Sequence, residues 1–165
     1  MKNHPMRRSR QALGESACKE ILARCTSGVL ALQGSDDYPY AVPLSYLFRD
    51  DMLYFHCAQQ GHKLEALRHN SKVSFCVIAQ DEIVPEKFTT CYRSVIVFGE
   101  IAELTDQTKK RDALIALAEK YTPNDPLGCQ REAEGALDRV CVLAMHISQM
   151  TGKEAIELVR RQENN

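Results

Sequence analysis

The stretch "MLYFHCA" (residues 52–58) alternates in polarity, halts at Gln59-Gln60-Gly61, and gives way to the helical pattern "HKLEALRH" (62–69). A helix start exposes unpaired backbone N–H groups and the positive end of the macrodipole. Lys63 adds a mobile cation there, and His62 can add a further donor. Gly61 lets a ligand approach the backbone closely. Together these residues describe an anion pocket best suited to a phosphate. Pattern alone leaves a second reading open, in which Lys63 is a solvated first-turn lysine and His62 only caps or packs. Arg68, further along the helix, and Arg93 are additional cations within the same reading.

Three other constellations could carry chemistry. In "YPYAVPLSY" (38–46), Pro43 interrupts a strand, so neighbouring backbone groups become available to a flat heteroaromatic ligand. Ser45 and Tyr46 could hydrogen-bond such a ligand; equally, Pro43 could simply protect an edge strand. In "CYRSVIVFG" (91–99), Tyr92, Arg93 and Ser94 sit at the mouth of an apolar strand, where ordinary strand-end polarity is the competing account. Lys153 follows Gly152 and either faces a ligand or occupies a first helical turn.

Metal and nucleophile chemistry find less support. His56-Cys57 followed by His62 lacks a standard ligand spacing, and no metal site is expected. His146, on a strand, reads as packed. None of the seven cysteines has an obvious activator. Neither "QQGHKLE" nor "MTGKEA" has the spacing of a GxxxxGK[ST] phosphate loop. Glu15, Glu65, Glu82 and Glu86 look like solvated faces.

Composition narrows the class. The chain has 165 residues, 44% hydrophobic and 26% charged. A chain of this length buries roughly 70% of its unfolded surface, so it needs no disulfide or metal to fold. A net charge of −1 argues against phosphate-backbone binding and against a basic membrane-surface helix. No run approaches the ~20 apolar residues of a membrane span. The basic start "MKNHPMRRSRQ" lacks a following apolar region and does not read as a signal peptide. An odd cysteine count without a CxxC pair, with thiols set among apolar neighbours, points to a reducing compartment, the cytoplasm.

The elements that must position these residues follow from periodicity. A single domain over 1–165 is expected, with a polar arm at 1–12 and a C-terminal helix at 151–165. Apolar helical spacing predicts a helix over 14–25 through Ala17, Ile21, Leu22 and Cys25. Strands are predicted at 27–34, 40–48, 52–58, 72–79, 91–104 and 139–148. A helix runs over 62–69 with Asn70 as its cap, and another over 106–121. "SDDYP" (35–39) reads as a turn-rich link, 82–90 and 122–128 as loops, and 129–137 as a short helix. Gly99 suggests a bulge or bend. Thr151 and Glu154 read as a capping box opening the last helix. Six strands with helices that do not alternate strictly favour an antiparallel barrel over a parallel α/β sheet.

These blocks together resemble the nitroimidazole-resistance (5-nitroimidazole reductase) proteins of the pyridoxamine 5′-phosphate oxidase-like, FMN-binding split-barrel superfamily. The resemblance runs through "MRRSRQAL", "GVLAL", "YPYAVPLSY", "YFHCAQQGHKLEALR", "KVSFCVI", "FTTCYRSVIVFG" and "MTGKEAI" and covers roughly residues 6–156. It implies a mainly β fold, a six-stranded antiparallel, Greek-key-like split β-barrel with flanking helices. It implies a homodimer with flavin at the subunit interface. FMN is the implied cofactor, with FAD or haem as alternatives. His62 and Lys63 carry over as phosphate-side residues. Val42, Pro43, Leu44, Ser45 and Tyr46 carry over as a flavin-ring wall, and Arg93, Ser94 and Val95 as a further contact. Lys153 carries over as a contact from the same or the partner subunit.

The resemblance stops short of pyridoxamine phosphate oxidation. The chain has no Trp, and "IELVRRQENN" does not supply that activity's C-terminal Arg/His signature. The expected activity is an FMN-dependent, nitroreductase-like reduction of a small acceptor such as a nitro-aromatic, with NAD(P)H as a candidate donor. His62 is the candidate catalytic residue, orienting substrate or donating a proton. The alternative is a non-catalytic flavin- or haem-binding carrier or sensor.

Overall fold

The computed structural model describes residues 6–34, 36 and 38–163. Residues 1–5 of the predicted arm, Ser35 and Asp37 of the predicted link, and residues 164–165 lie outside the described residues. The elements are β1 (Ala12–Leu13), α1 (Glu15–Arg24), β2 (Ser27–Gln33), β3 (Pro39–Ser45), β4 (Leu47–Arg49), β5 (Met52–Ala58), α2 (His62–His69), β6 (Lys72–Val84), β7 (Thr89–Glu103), α3 (Gln107–Tyr121), α4 (Pro126–Ala136), β8 (Val140–Glu154) and α5 (Ile156–Glu163).

The strands form one antiparallel sheet in the order β3-β2-β6-β7-β8-β5-β4, with β1 added on β8. The outermost strands, β3 and β4, are consecutive in the chain and separated by Tyr46 alone. Flat, seven strands at ~4.8 Å spacing would hold those edges nearly 30 Å apart. The chain between them spans only a few ångströms, so the sheet must roll up and meet itself at Tyr46. This is a split β-barrel, and its seam is where the ladder ends. The predicted strand over 40–48 is therefore two strands on opposite edges of the sheet.

Alternation fills the barrel. Leu30, Phe75, Val77, Val95, Val97, Leu53, Phe55, Leu143 and Met145 point inward and are essentially inaccessible. Phe75 is central, with edge-on contacts to Tyr46 and Phe55 at centroid separations of 4.9 and 5.1 Å. Leu22 of α1 and Leu64 and Ala66 of α2 join this cluster. A satellite core of Ala113, Leu114, Ala133 and Val142 seats α3 and α4 against the barrel.

Gly99 marks a bulge, as its type suggested: the β7–β8 register shifts between Phe98 and Gly99, where Ser148 is the extra residue. A Cβ at Gly99 would stand 2.0 Å from the His146 carbonyl oxygen, so a side chain has no room there.

Three local predictions are corrected. Residues 151–154 are not a capping box: they continue β8, pairing with Ile96, Val95, Ser94 and Arg93 of β7, and the last helix starts at Ile156. Gly152 is set by packing, because a Cβ there would meet the Cys18 Sγ at 2.3 Å. The predicted loop over 82–90 is mostly hairpin. β6 runs to Val84, Pro85–Lys87 make a single 3₁₀ turn, and β7 restarts at Thr89. The short helix begins at Pro126 instead of 129, because Asp125 caps it by accepting from the Gly128 N–H at 2.8 Å.

Candidate functional site

Gly61 takes φ 128°, a conformation that favours glycine, and turns the chain from β5 into α2. No side chain caps this helix start, and the Gly61 carbonyl accepts from the Leu64 and Glu65 N–H groups. The first turn of α2 carries His62 and Lys63, with the acidic Glu65 exposed in the same turn. His62 is exposed, and its ring meets that of Tyr40 edge-on at 4.5 Å. Tyr40 is the second residue of β3, so the corner and the proline-containing strand are in direct contact. Lys63 is half-buried and lies near Cys57, whose thiol pKa is raised by burial, a rise that the Lys63 charge partly offsets.

β3 is an edge strand, paired only with β2. Val42 and Leu44 turn inward onto the core, whereas Pro43 and Ser45 point outward and are exposed. Pro43, which cannot donate to a ladder, thus sits on the strand where that loss matters least. Tyr46 is placed differently from a ligand contact. It is fully buried at the seam, and its hydroxyl donates to the Leu22 carbonyl at 2.8 Å. Burial raises its pKa far above the ordinary tyrosine value.

The second group lies on β7 and β8. Ser94 and Lys153 are direct cross-strand neighbours, with Ile78 opposite Ser94 on its other side. The Lys153 ammonium stands 5.6 Å from the Tyr92 ring centroid. Arg93 is committed to a 2.8 Å ion pair with the buried Glu154. Val95 is core. Arg68 is likewise engaged, with Glu103 at 3.0 Å.

The two groups are not adjacent within one chain. Pro43, Val29, Cys76, Ile96 and Thr151 form one row across the sheet. Tyr40 lies to one side of this row, and Ser94 and Lys153 to the other. By strand count they are about 20 Å apart along the sheet. Between them the outer face is apolar, with Val29 39%, Ile78 64% and Ile96 37% exposed. A groove of about 600 Å³ opens on the Tyr40 side of the row, lined by Ala31, Pro39, Ser74 and Phe98 among others. Among the described residues, no cluster of three or more His, Cys, Asp or Glu could hold a metal ion.

Helical spacing puts Tyr121, with Leu114, Leu117 and Ala118, on one apolar face of α3, but neither it nor Lys120 reads as a site residue. The Lys120 Nζ donates to the Cys25 and Tyr46 carbonyls at 2.7 and 2.8 Å and lies 4.0 Å from the Tyr46 ring centroid. The Tyr121 hydroxyl bridges the Tyr46 backbone and the Thr26 carbonyl. They clasp the seam, and nothing in a solvated-looking "AEKY" announces a contact 75 residues away in sequence.

Burial pushes the Lys120 ammonium down to about 8 from 10.5. Below pH 8 both folded and unfolded chains carry the charge, and the folded one bears its desolvation. Between about 8 and 10.5 the folded chain releases that proton while the unfolded chain keeps it, so this group's contribution to stability rises with pH. Thiols such as the buried Cys18 and the half-buried Cys76, whose pKa values burial raises, act oppositely above about 9. The difference in denaturation midpoint between wild type and Lys120→Met cancels the thiols. It is expected to shift in favour of wild type across pH 8–10.5, as measured by guanidinium titration under reductant.

The family model for pyridoxamine 5′-phosphate oxidase matches residues 14–154, and the chain belongs to that family. Among solved structures, a candidate 5-nitroimidazole antibiotic resistance protein from Bacteroides thetaiotaomicron is 24% identical, with TM-score 0.72, over 87% of this chain and 86% of that one. An FAD-binding protein from Mesorhizobium loti is 29% identical, with TM-score 0.64, over 88% and 97%. An FAD- and haem-binding protein from Mycobacterium smegmatis is 22% identical, with TM-score 0.75, over 88% and 73%. A comparison with curated protein sequences finds no match. No described helix is long and apolar enough to cross a membrane.

Proposed function

We propose that the chain is an FMN-dependent reductase of a small acceptor, of the nitro-aromatic type, working as a homodimer with flavin at the subunit interface. The observation that carries this reading is the uncapped, glycine-opened start of α2, bearing His62 and Lys63 against Tyr40 of the edge strand. A phosphate fits it by charge, by N–H donors, and by the open space beside Gly61, where a Cβ would meet nothing within 4 Å. The family and the flavin-binding relatives support the choice of a flavin phosphate.

In this reading Lys63 and the first N–H groups of α2 hold the phosphate, and the exposed edge at Pro43 and Ser45 walls the ring. Val42, Leu44 and Tyr46 stiffen that wall from behind. Ser94 and Lys153 lie too far along the sheet to join the same chain's corner. A second copy docked on the apolar outer face would bring them to it. When bound, the flavin supplies two-electron transfer. His62, exposed at the rim, orients the acceptor or hands it a proton.

The test uses the purified protein. Its absorbance spectrum is recorded, the chromophore is released by denaturation and identified by mass, and NADH and NADPH consumption is followed with a nitro-aromatic acceptor. Released FMN with acceptor-dependent turnover is the expected result. Flavin or haem retention without turnover would instead identify a carrier, and a colourless protein that ignores added FMN would overturn the proposal.

A further inference from the structure

Cys57 of β5 and Cys141 of β8 are direct partners in the antiparallel ladder. Directly opposed residues in such a pair have Cα atoms about 4.5–5.5 Å apart, inside the roughly 4.4–6.8 Å range of disulfides. Their side chains share one face, and both pack against the barrel core. All seven cysteines are unbridged. Two charged groups flank the pair: Lys63 beside Cys57, and Glu103, whose Oε2 accepts from the Cys141 Sγ at 3.5 Å.

From this juxtaposition we propose that Cys57 and Cys141 form a reversible dithiol–disulfide site, oxidised by low-molecular-weight disulfides. The pair needs no bound ligand, although Lys63 beside it is also the residue proposed to hold the flavin phosphate. Transient bridges of this kind are the ones expected where structural disulfides are not.

The order of events follows from exposure and charge. Burial raises the Cys57 thiol pKa and Lys63 only partly offsets that rise, but Cys57 is half-buried where Cys141 is buried, so it meets a small disulfide first. Its sulfur displaces one thiolate from glutathione disulfide and forms a mixed disulfide, while the Cys57 proton passes to solvent. The buried Cys141 then gives its proton to the Glu103 carboxylate. The Cys141 sulfur attacks the Cys57 sulfur, and the second glutathione leaves as a thiolate that is protonated from solvent. Two protein thiols lose two electrons and two protons; one glutathione disulfide becomes two glutathione molecules. Burial, with Cys57 and the Glu103 charge adding to it, pushes the Cys141 thiol up to about 12, so the resolving step depends on the proton leaving along the hydrogen bond to Glu103. Arg68, 3.0 Å from Glu103, helps hold that carboxylate in place beside the ladder.

The test treats the native full-length chain with glutathione disulfide, quenches by alkylation, and maps the peptides. The expected product is a Cys57–Cys141 cross-link that dithiothreitol reverses. Cys141→Ser should stop at a glutathione adduct on Cys57. Cys57→Ser should form no cross-link from Cys141. Glu103→Gln should accumulate the mixed disulfide, with closure slowed by roughly tenfold or more. Circular dichroism confirms that each variant is folded, and Cys57→Ala serves if the serine variant is not. The proposal is overturned if Cys57 and Cys141 both stay alkylatable while other thiols react. It is equally overturned if they end as separate adducts, or if Glu103→Gln closes at the wild-type rate.

Discussion

Lys63→Glu is expected to weaken FMN binding by about 100-fold, because a charge-assisted hydrogen bond to an anion contributes roughly 1.5–3 kcal/mol. Charge reversal adds repulsion to that loss, and the helix start alone offers only a fraction of a kcal/mol in compensation. The side chain is well placed for the role: it is half-buried in the first turn of α2, beside an N-cap that has no side chain of its own. His62→Ala should cost less in affinity, since His62 lies exposed against Tyr40, and its larger effect should fall on acceptor turnover. Lys87→Glu, on the exposed tip of the β6–β7 hairpin, is the control and should bind FMN as wild type does. Fluorescence titration of the apoprotein measures all three.

The largest effect on stability is expected at Tyr46. Removing a buried aromatic side chain costs about 3–5 kcal/mol, a large part of the roughly 5–15 kcal/mol that holds a domain together. At this position the loss is compounded. Tyr46 is the only residue joining the two outer strands of the rolled sheet, its ring packs on Phe75, and its hydroxyl satisfies Leu22. Lys120 also rests on its carbonyl and its ring. Tyr46→Ala should therefore leave little folded protein at 37 °C. Tyr46→Phe keeps the ring and strands only the Leu22 carbonyl, a loss of about 1–2 kcal/mol. Tyr46→Phe should bind FMN within about twofold of wild type, since its hydroxyl is turned into the core. A phenylalanine variant of full stability with lost flavin affinity would show instead that the hydroxyl faces the ligand. Urea unfolding and flavin titration on the same preparation separate the two outcomes.

What could be read from sequence divides along physical lines. The strands at 27–33 and 52–58 carry a period-2 signal that the barrel core uses directly, and α2 carries its own start signal in Gly61. Gly99 was legible as a bulge because only a missing Cβ permits the approach of the His146 carbonyl. Thr151 to Glu154 misled for the opposite reason. Their local capping pattern is real, but pairing with β7 on one side and β1 on the other overrides it. The 82–90 segment reads as a loop because of Pro85, although the alternation on either side extends the hairpin to its tip.

The site divides in the same way. His62, Lys63 and Pro43 were visible as local chemistry. That Tyr40 joins them, that Glu154 holds Arg93, and that Lys120 clasps Tyr46 depend on contacts between distant parts of the chain. No single segment encodes such contacts. The same holds for Cys57 and Cys141, which look inert separately and become neighbours only through the β5–β8 register.

The central claim is that the start of α2 holds a flavin by its phosphate, and the sharpest measurement compares FMN with riboflavin, which lacks that group. Wild type should prefer FMN by about 100-fold, as a charged phosphate contact warrants, and Lys63→Glu should erase most of that preference. Equal affinity for the two flavins, or a preference that survives in Lys63→Glu, would contradict it.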